Sequence, residues 1–366
     1  MSRTKAFKEQ LDEHGAKWSE WRAVEVVGDF GDPDTEYHAV RGEGLGLADH
    51  SWRETLVVTG SDAVPWLQGL VTSDLFQLAE EGSGQITTAV NQVGRLIAEA
   101  RVLHMPEMLV LDLEPGVLEA GLLSHLRRHI ITEDVTLVDR SEQTARVSLY
   151  GEQAAELLDR VCDTEHRVTS LEEFAGTWGA MGDEDVVIQR VPLTGGPGFD
   201  VSCASEAADR VWRTLIDAND AVTPVGFDTL ETLRIEAGVP RFGKELTEER
   251  IPLEAGLDHA ISFNKGCYLG QEIIARLDTR GTPARLLRTL VLGEGAAPRV
   301  GADIEREGKV VGQVVSSVWS PRLQKPIALG YVKRNHNEVG TDVEVEARPA
   351  SVEALGYALA STSAKV

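Results

Sequence analysis

Cysteine is scarce in this sequence. The 366-residue chain contains three cysteines, Cys162, Cys203 and Cys267, and they lie far apart. An odd number of distant thiols argues against a disulfide framework and fits a reducing compartment. No two cysteines are separated by only two residues, so the spacing typical of zinc sites and of self-contained iron–sulfur sites is missing. We therefore expect no disulfide and no metal site.

Long apolar runs are also missing. Hydrophobic residues make up 42% of the chain, which suffices for the cores of two or three domains. No run approaches the roughly 18 apolar residues that a membrane-spanning helix requires. The stretch MSRTKAFKEQLDEHG at the amino terminus is polar and lacks the apolar segment of a secretion signal. These features predict a cytoplasmic protein with no membrane anchor.

Lysine is scarce as well. The chain has 59 acidic residues against 36 basic ones, of which 9 are lysine, and a net charge of −23. The electrostatic field of this negative net charge repels the phosphates of nucleic acids, so we expect no nucleic-acid partner. An acid-rich, lysine-poor surface suits a salt-filled cytosol, because screening there removes much of the self-repulsion. This composition favours a halophilic source, with an ordinary acidic protein as the alternative.

The pattern of apolar residues predicts helices and strands along most of the chain. Residues 1–23 are predicted to be helical, with Phe7, Leu11 and Trp18 as spaced apolar positions, and a Gly- and Asp-rich segment follows at 28–53. From about residue 54 to residue 140 the apolar segments have the order β-α-β-β-β-α-β. The segments GQITTAVN and GRLIAEARVLHM form a hairpin in this unit, and VVIQRVPL with GFDVSCA forms a second hairpin further along.

The pattern of apolar segments changes after residue 284. Short apolar segments joined by Gly and Pro turns predict a small all-β module, expected to be a barrel. We therefore expect an α+β protein in which residues 1–280 form two interleaved subdomains, one of them at roughly 54–140, and residues 285–350 form the barrel. A monomer is the expected oligomeric state.

Neither the glycine-rich segments nor the spaced histidines match a known catalytic pattern. GEGLGL and TGGPGF lack the spacing of dinucleotide- and phosphate-binding loops, so we interpret them as turns. His125 and His129 can share one face of a helix, but two neighbouring arginines favour a helix end instead. The motifs of zinc proteases, serine hydrolases and kinases are all missing from the sequence.

The stretch FNKGCYLGQEIIAR places Cys267 two residues after Lys265. The thiolate is the reactive form, and both a nearby lysine and the amino-terminal dipole of a helix beginning near Leu269 would favour it. A small buried side chain in a turn is the alternative, and the residues alone leave both interpretations open. Cys162 and Cys203 fall at helix and strand positions that predict structural thiols.

The same stretch resembles the signature of a known family. The segment KGCYLGQE matches every position of the pattern Lys-Gly-Cys-aromatic-x-Gly-Gln-Glu of YgfZ-type folate-binding proteins, which are relatives of the glycine cleavage T-protein. Other segments that resemble this family are GLGLADHS, VVTGSDAVPWLQGLVTSDL, NQVGRLIAEARV, GFDTLETLRIEAGVPRFGKEL and VGQVVSSVWSPRLQKPIALGYV. The resemblance therefore extends over most of the chain.

This resemblance implies a T-protein-like ring of three domains around a central channel that holds tetrahydrofolate. In the T-protein, the folate accepts a one-carbon unit from an aminomethyl-lipoyl arm and ammonia leaves, whereas YgfZ-type members support iron–sulfur cluster assembly or repair. The resemblance assigns folate binding to Asn91, Arg234, Glu236, Phe242, Lys265, Tyr268 and Gln271, and it makes Cys267 and Glu99 the candidate catalytic residues.

Arg234 is the strongest candidate for holding a folate carboxylate, because a guanidinium group binds a carboxylate in bidentate fashion. An internal ion pair with Glu231 or Glu236 is the alternative role for this side chain. Phe242 stands where the resembling family often has tyrosine, so ring stacking can persist there without the hydroxyl.

Three positions separate the two branches of the family. The T-protein has an Asp-Asp pair where this chain has Ala98-Glu99, and strand alternation sends these two side chains to opposite faces, so at most one acid remains. Its acidic turn corresponds here to residues 193–198, which contain neither an acid nor an aromatic residue. Together with Cys267, these differences predict a tetrahydrofolate-binding accessory protein that supports iron–sulfur enzymes through a reactive cysteine.

The alternative function is a folate-dependent aminomethyltransferase or a related demethylase. In that case Glu99 takes the place of the missing aspartate, and a lipoyl carrier protein is the expected partner. A third interpretation is an interaction protein that keeps the scaffold and has lost the ligand.

Overall fold

The computed structural model describes residues 3–78 and 80–356, and it describes residues 278–280 by their backbone only. The α-helices are α1 (Lys5–Glu13), α2 (Pro33–Arg41), α3 (Ala63–Gln68), α4 (Leu123–Arg127), α5 (Ala154–Val161), α6 (Ala208–Asp217), α7 (Phe227–Glu236) and α8 (Gln271–Arg280). The first fourteen strands are β1 (Lys17–Trp21), β2 (Val24–Asp29), β3 (Leu45–Asp49), β4 (Glu54–Thr59), β5 (Gly84–Val90), β6 (Leu96–Met105), β7 (Met108–Leu113), β8 (Thr136–Asp139), β9 (Thr144–Tyr150), β10 (Asp163–Thr164), β11 (Gly176–Met181), β12 (Glu184–Arg190), β13 (Gly198–Ala204) and β14 (Val222–Pro224). The last six strands are β15 (Arg285–Leu292), β16 (Asp303–Arg306), β17 (Lys309–Ser320), β18 (Lys325–Lys333), β19 (Asp342–Val345) and β20 (Arg348–Glu353).

Two sheets form the larger part of the molecule. One sheet has five antiparallel strands in the order β5-β6-β7-β4-β8. The other has seven strands in the order β10-β11-β12-β13-β9-β3-β14, and within it β14 runs parallel to β3. Because β3 precedes and β9 follows the whole five-stranded sheet in the chain, the two sheets are interleaved in sequence.

The carboxy-terminal strands close into a six-stranded barrel with the order β15-β18-β17-β16-β19-β20. Its interior is filled by aliphatic side chains such as Leu290, Val332 and Val352. On the outer face, Leu287 and Leu329 join the core of the five-stranded sheet, so the barrel packs firmly against that sheet. The predicted α+β class and the carboxy-terminal barrel are confirmed.

The prediction of a helix over residues 1–23 is wrong in its second half. Helix α1 ends at Glu13, and Gly15 then adopts a left-handed backbone with a φ of +89°. Glycine reaches this conformation without steric cost, so the chain reverses there and continues as the hairpin β1–β2. Phe7 still packs as predicted, with its ring edge-on to Trp212 at 5.8 Å, whereas Trp18 lies on a strand.

One helix was not predicted, and another begins later than predicted. The Gly- and Asp-rich segment 28–53 contains helix α2, whose start is marked by Asp32 accepting from the Thr35 backbone and by a proline in the first turn. The helix after Cys267 begins at Gln271 rather than near Leu269. In the described ranges, none of the helices is both long and apolar enough to span a bilayer.

Strand β6 determines which side chains face the space between the two sheets. Ala98, Ala100 and Val102 point into the apolar core beneath the five-stranded sheet. Because successive side chains on a strand point to opposite faces, Glu99 and Arg101 point the other way, toward the seven-stranded sheet. This alternation brings two charged side chains to one buried wall.

Candidate functional site

A narrow cavity lies between the five-stranded and seven-stranded sheets. We call it the inner cavity, and it offers about 40 Å³ of free space. Its walls are Ile86, Glu99, Arg101, Glu114, Phe174, Val191, Pro192, Leu193, Val239, Pro240, Arg241, Leu246 and Leu257. Apolar side chains line most of it, and two acids and two arginines supply its polar surface. A slot of this composition suits a flat ring with polar edges.

Beside the inner cavity lies a wider cleft of about 720 Å³, which we call the mouth. The two spaces share Ile86, Phe174, Pro192 and Val239 as walls, so they adjoin each other. Small-molecule sites usually measure about 300–1,000 Å³, so the mouth can hold a coenzyme-sized ligand. The inner cavity alone is too small for a bicyclic ring, and a bound ring would lie across both spaces.

Three arginines line the mouth: Arg41, Arg190 and Arg322. Arg41 lies 3.6 Å from a carboxylate oxygen of Glu236, and its buried Nε has no hydrogen-bond partner among the described residues. The buried Nε of Arg190 is likewise without a partner in the described chain. Unpaired donors of this kind are costly unless an acceptor reaches them, so the mouth suits a ligand that carries carboxylates.

Glu99 is the most distinctive group of the inner cavity. Its side chain is 8% exposed, and no hydrogen bond to its carboxylate occurs within the part of the chain that the structure describes. Burial raises the pKa of Glu99 to about 6, and Arg101 and Arg53 act against this shift. A buried, unpaired carboxyl group that titrates near neutrality can take up or release a proton at physiological pH.

Asp112, another buried acid of the same sheet, has the hydrogen-bond partners that Glu99 lacks. Asp112 accepts from Arg53 at 2.8 Å and from Arg101 at 3.0 Å, and Arg146 also donates to it. Burial by itself would raise the pKa of Asp112, but the three guanidinium groups outweigh it and the pKa lies below the ordinary value. Asp112 therefore stays ionised as a structural anion. Glu114, the second acid of the cavity wall, likewise has a lowered pKa, because Arg53 and Arg241 outweigh its burial. Glu99 differs from both.

Arg101 connects the two sheets through this charge network. Its Nη1 lies 3.0 Å from Asp112 on the five-stranded sheet and 3.3 Å from Asp200 on the seven-stranded sheet. Burial alone would raise the pKa of Asp200, but the nearby His50, whose Nδ1 is 3.9 Å from the carboxylate, and the charge of Arg101 lower it. Buried ion pairs of this kind fix geometry because breaking one leaves an uncompensated charge. Arg101 is thereby held in the cavity wall, two residues from Glu99.

Arg234 lines neither the inner cavity nor the mouth. The side chain is fully buried, and its guanidinium donates to both carboxylate oxygens of Glu231, at 2.8 and 2.9 Å, and to Glu245 at 2.9 Å. The remaining contacts go to the carbonyl of Val239 and the hydroxyl of Ser316. With its donors taken up by the protein, Arg234 holds helix α7 to the following loop and to the barrel rather than presenting itself to a ligand.

Other residues that the family resemblance assigned to folate also lie away from the inner cavity. The Asn91 carboxamide oxygen accepts from the backbones of Val93 and Arg95, so it shapes the β5–β6 turn. Phe242 is buried in the core of the five-stranded sheet, with the Arg22 guanidinium 5.6 Å from its ring. Local turn geometry and core packing therefore account for Asn91 and Phe242 as the structure places them.

Glu236 lines the mouth rather than the inner cavity. It accepts from the Tyr37 hydroxyl at 2.8 Å and from the Ser320 hydroxyl at 2.5 Å. These bonds join helix α2, helix α7 and the barrel at the edge of the mouth.

Lys265 is an internal brace for the loop that carries Cys267. Its Nζ donates to the carbonyl oxygens of Gln68, Val71 and Ser73, at 2.6, 2.9 and 2.7 Å. Burial lowers the pKa of Lys265 to about 8. The last carbonyl groups of a helix lack intrahelical partners and interact favourably with a cation. Here the Lys265 ammonium group binds carbonyls at and after the end of helix α3, and so fixes the Cys267 loop there. The ammonium group is thus committed to carbonyl groups rather than to a ligand.

The neighbours of Cys267 have structural contacts as well. Tyr268 is buried in a small cluster with Val90, Leu253 and Ile274. The Gln271 carboxamide accepts from the Tyr268 backbone at 3.4 Å, at the start of helix α8. Neither residue lines the inner cavity or the mouth.

Cys267 itself is exposed, whereas Cys162 and Cys203 are buried. Burial raises the pKa of both buried thiols to about 12, which confirms their structural character. The exposed cysteine lines neither the inner cavity nor the mouth, so the two catalytic candidates of the sequence, Glu99 and Cys267, are not brought together.

Thiol reactivity gives a direct check of this arrangement. A colorimetric disulfide reagent should label one thiol per native chain and three in denaturant, because the thiolate is the reactive species and two thiols are buried. The Cys267→Ser variant should lose the native signal and keep two thiols in denaturant. Fast labelling of two or more thiols in the native protein would contradict the burial of Cys162 and Cys203.

The spaced histidines do not form a metal site in the described ranges. Their ring centres lie 4.9 Å apart, and the Nδ1 of His129 contacts the carbonyl of His125 at 2.8 Å. Across the residues that the structure describes, no group of three or more His, Cys, Asp and Glu side chains could hold a metal ion.

Sequence reasoning missed most of the polar cavity residues. Arg101 carried a usable signal, because it lies two positions after Glu99 on the same predicted strand and therefore on the same face. Glu114 and Arg241 carried no such signal. They lie 3.6 Å apart in the structure but more than a hundred positions apart in the chain.

Two families of known domains match the chain. The GCVT N-terminal domain matches residues 7–265, and the glycine cleavage T-protein C-terminal barrel domain matches residues 285–355. The aminomethyltransferase of Symbiobacterium thermophilum is 32% identical over 327 residues, which cover 87% of this chain and 86% of the relative. That of Bacillus subtilis is 29% identical over 359 residues, with 97% of each chain covered.

One solved structure resembles the whole fold. It is the glycine cleavage system aminomethyltransferase T from Bartonella henselae, with a TM-score of 0.87, 23% identity and 98% of both chains covered. At this identity the likeness concerns the fold, including the interleaved sheets and the barrel.

Proposed function

Since the chain belongs to the glycine cleavage T-protein family, we propose that it binds tetrahydrofolate in the inner cavity and mouth and transfers a one-carbon unit as a folate-dependent aminomethyltransferase. The observation that carries this proposal is the Glu99 carboxyl, which is buried in the cavity wall, unpaired within the described chain and raised in pKa to about 6. This choice reverses the preference that the sequence motif around Cys267 suggested.

The residues present fit a folate. The pyrimidine half of a reduced pteridine is flat and carries polar edges, and the inner cavity offers apolar walls with Glu99 and Arg101 on one side. The carboxylates of the folate tail would meet Arg41, Arg190 and Arg322 in the mouth. When bound, tetrahydrofolate supplies the nitrogen that takes up the one-carbon unit. Glu99 would hold the polar edge of the ring and move a proton there.

The partner of this reaction is proposed to be an aminomethyl-lipoyl carrier protein. Its arm would reach the cavity, where apolar walls and the tight inner space exclude water from the reacting groups. The acid-rich, lysine-poor composition supports a salt-rich cytosol as the working environment, so these assays belong in concentrated KCl as well as in dilute buffer.

A titration with tetrahydrofolate tests the first step, and folate-dependent release of ammonia from an aminomethyl-lipoyl carrier tests the second. We expect binding in the wild type and ammonia release that requires both folate and carrier. Binding without turnover would reject the transferase and leave a folate-binding accessory protein. Absence of binding at both salt concentrations would reject both and favour an interaction protein.

An accessory role in iron–sulfur cluster assembly or repair is the second candidate. One observation favours it: Cys267, within the YgfZ-type motif, is exposed to solvent. The two features expected to favour the Cys267 thiolate are weaker than the sequence suggested. Lys265 donates to backbone carbonyl groups, and helix α8 begins four residues after Cys267.

The Cys267→Ser variant separates the two candidates. For a transferase, the rate of ammonia release should stay within about twofold of wild type, as for an exposed residue with no part in the cavity. For an accessory protein, the variant should fold normally and fail to restore iron–sulfur enzyme activity in a strain that lacks the wild-type gene. Full restoration in that strain would contradict the accessory role.

A further inference from the structure

A second cleft gathers positive charge in a chain whose net charge is −23. We call it the basic cleft. It lies between the barrel and the loop before helix α8, and has a volume of about 770 Å³. Its walls include Arg250, Arg285, Asp303, Tyr331, Lys333 and Arg334. Four permanent cations and one acid line it, which inverts the balance of the chain as a whole.

Strand register explains how these charges converge. Arg285 on β15 pairs directly with Lys333 on β18, and directly opposed side chains lie on the same face of a sheet. Tyr331 lies two residues before Lys333 on that same face and is buried. The face is therefore apolar where it packs against the five-stranded sheet and becomes cationic where it leaves that contact.

This register places two like charges side by side. Directly opposed like charges destabilise a sheet, and only one of the two has a carboxylate nearby: Arg285 lies 3.6 Å from Glu254. Lys333 instead donates to the carbonyl of Val310 at 2.8 Å. A carbonyl dipole satisfies a donor but leaves its full charge in place, so the pair retains an unbalanced positive charge.

The other two cations are also without a carboxylate partner among the described residues. Arg250 lies with its guanidinium 4.1 Å from the centre of the Tyr331 ring, and its backbone is fixed by the Leu96 amide donating to its carbonyl at 2.9 Å. Arg334 donates to the carbonyl of Pro283 at 3.1 Å. Both guanidinium groups are thus positioned by the protein while their charges remain available.

We propose that the basic cleft binds a small ligand with two or more anionic oxygen groups, either phosphates or carboxylates. Arg250 and Lys333 would be its principal contacts, and Arg285 and Arg334 would add positive charge around it. A concave space of this volume lies in the range of small-molecule sites, which favours such a ligand over a flat protein surface. Because the basic cleft shares no lining residue with the inner cavity or the mouth, the ligand is separate from the folate.

Thermal unfolding and calorimetric titration with pyrophosphate and with citrate test this site. We expect saturable binding of at least one of them and a rise in Tm, because a ligand that binds only the folded state stabilises it. The affinity should fall as KCl increases, since the contacts are ionic. Preference for pyrophosphate or for citrate identifies the anionic group.

Matched variants localise the binding. Arg250→Gln and Lys333→Gln should each weaken it by about tenfold or more, the loss that one charged hydrogen-bonding partner produces. Lys325→Gln, which removes an exposed lysine at the opposite end of β18, should leave it unchanged. Folate titration should be the same in all three variants, so failure here is distinguishable from failure of the proposed function.

Three results would overturn the proposal. One is no binding of either anion in dilute buffer. Another is equal binding by the wild type and by both cleft variants. The last is binding of a poly-glutamate peptide alone, which would assign the basic cleft to an acidic protein partner.

Discussion

Glu99→Gln is expected to lower the rate of folate-dependent ammonia release by about 100-fold or more, the usual effect of losing a positioned general acid or base. Glutamine keeps the shape of the side chain and removes its ability to exchange a proton. The variant should fold and should bind tetrahydrofolate with a smaller change in affinity than in rate. Steady-state assays of ammonia release, with a parallel folate titration, measure the two effects separately.

The pH dependence of the same variant gives a second readout. Because burial raises the pKa of Glu99 from the ordinary 4.5 to about 6, the folded protein binds the proton more tightly than the unfolded chain. The stability contributed by this group is therefore present below pH 4.5 and lost as the pH rises through 6. Glutamine mimics the protonated form, so the variant should gain about 2 kcal/mol relative to wild type between pH 4.5 and pH 7.

Glu107→Gln is the matched control, because Glu107 is an exposed acid on the β6–β7 turn of the same sheet. It should change neither the rate of ammonia release nor the pH dependence of stability. If Glu99→Gln retained wild-type turnover, the carboxyl would have no proton-transfer role and the proposed transferase would lose its main support.

Arg234→Met is expected to have the largest effect on stability, a loss of about 3–5 kcal/mol in the free energy of unfolding. The guanidinium group neutralises Glu231 and Glu245, and Glu245 is fully buried with one carboxylate oxygen already without a partner among the described residues. Removing the arginine leaves a charge in a dry interior. Methionine fills a similar volume, so the effect reports charge rather than packing.

Urea denaturation measures this loss, with Arg276→Gln as the control. Arg276 forms an exposed ion pair with Glu272 on helix α8, and such pairs contribute about 1 kcal/mol or less. The two arginines therefore separate a buried charge network from a surface pair. An Arg234→Met protein of wild-type stability that binds folate poorly would return Arg234 to the ligand site that the sequence suggested.

Strand β6 shows which feature of the site could be predicted from the sequence and which could not. Alternation predicted that Ala98 and Glu99 point to opposite faces, but it could not say which face is the core. The structure places Ala98 in the apolar core and Glu99 on the cavity wall. The direction is decided by packing, because an alanine can be buried against apolar side chains at no polar cost and a carboxylate cannot.

Arg234 and Lys265 show the opposite case. Both belong to segments that resemble family motifs, and both side chains donate their hydrogen bonds to other groups of the protein. Position in a motif identifies the family, but it does not distinguish a residue that touches a ligand from one that holds the scaffold. That distinction depends on which acids and carbonyl groups lie within a few ångströms after folding.

The sequence by itself determined the family through the resemblance of its motifs. It also determined the α+β class, the hairpins and the barrel, because hydrophobic periodicity and turn residues act over short stretches of chain. Only the tertiary structure decided the site. The inner cavity is assembled from segments near residues 86–114, 174–193 and 239–257, and the titration of Glu99 depends on burial and on charges brought close by folding. Desolvation and Coulomb interactions act through space, so no local pattern in the chain could have specified them.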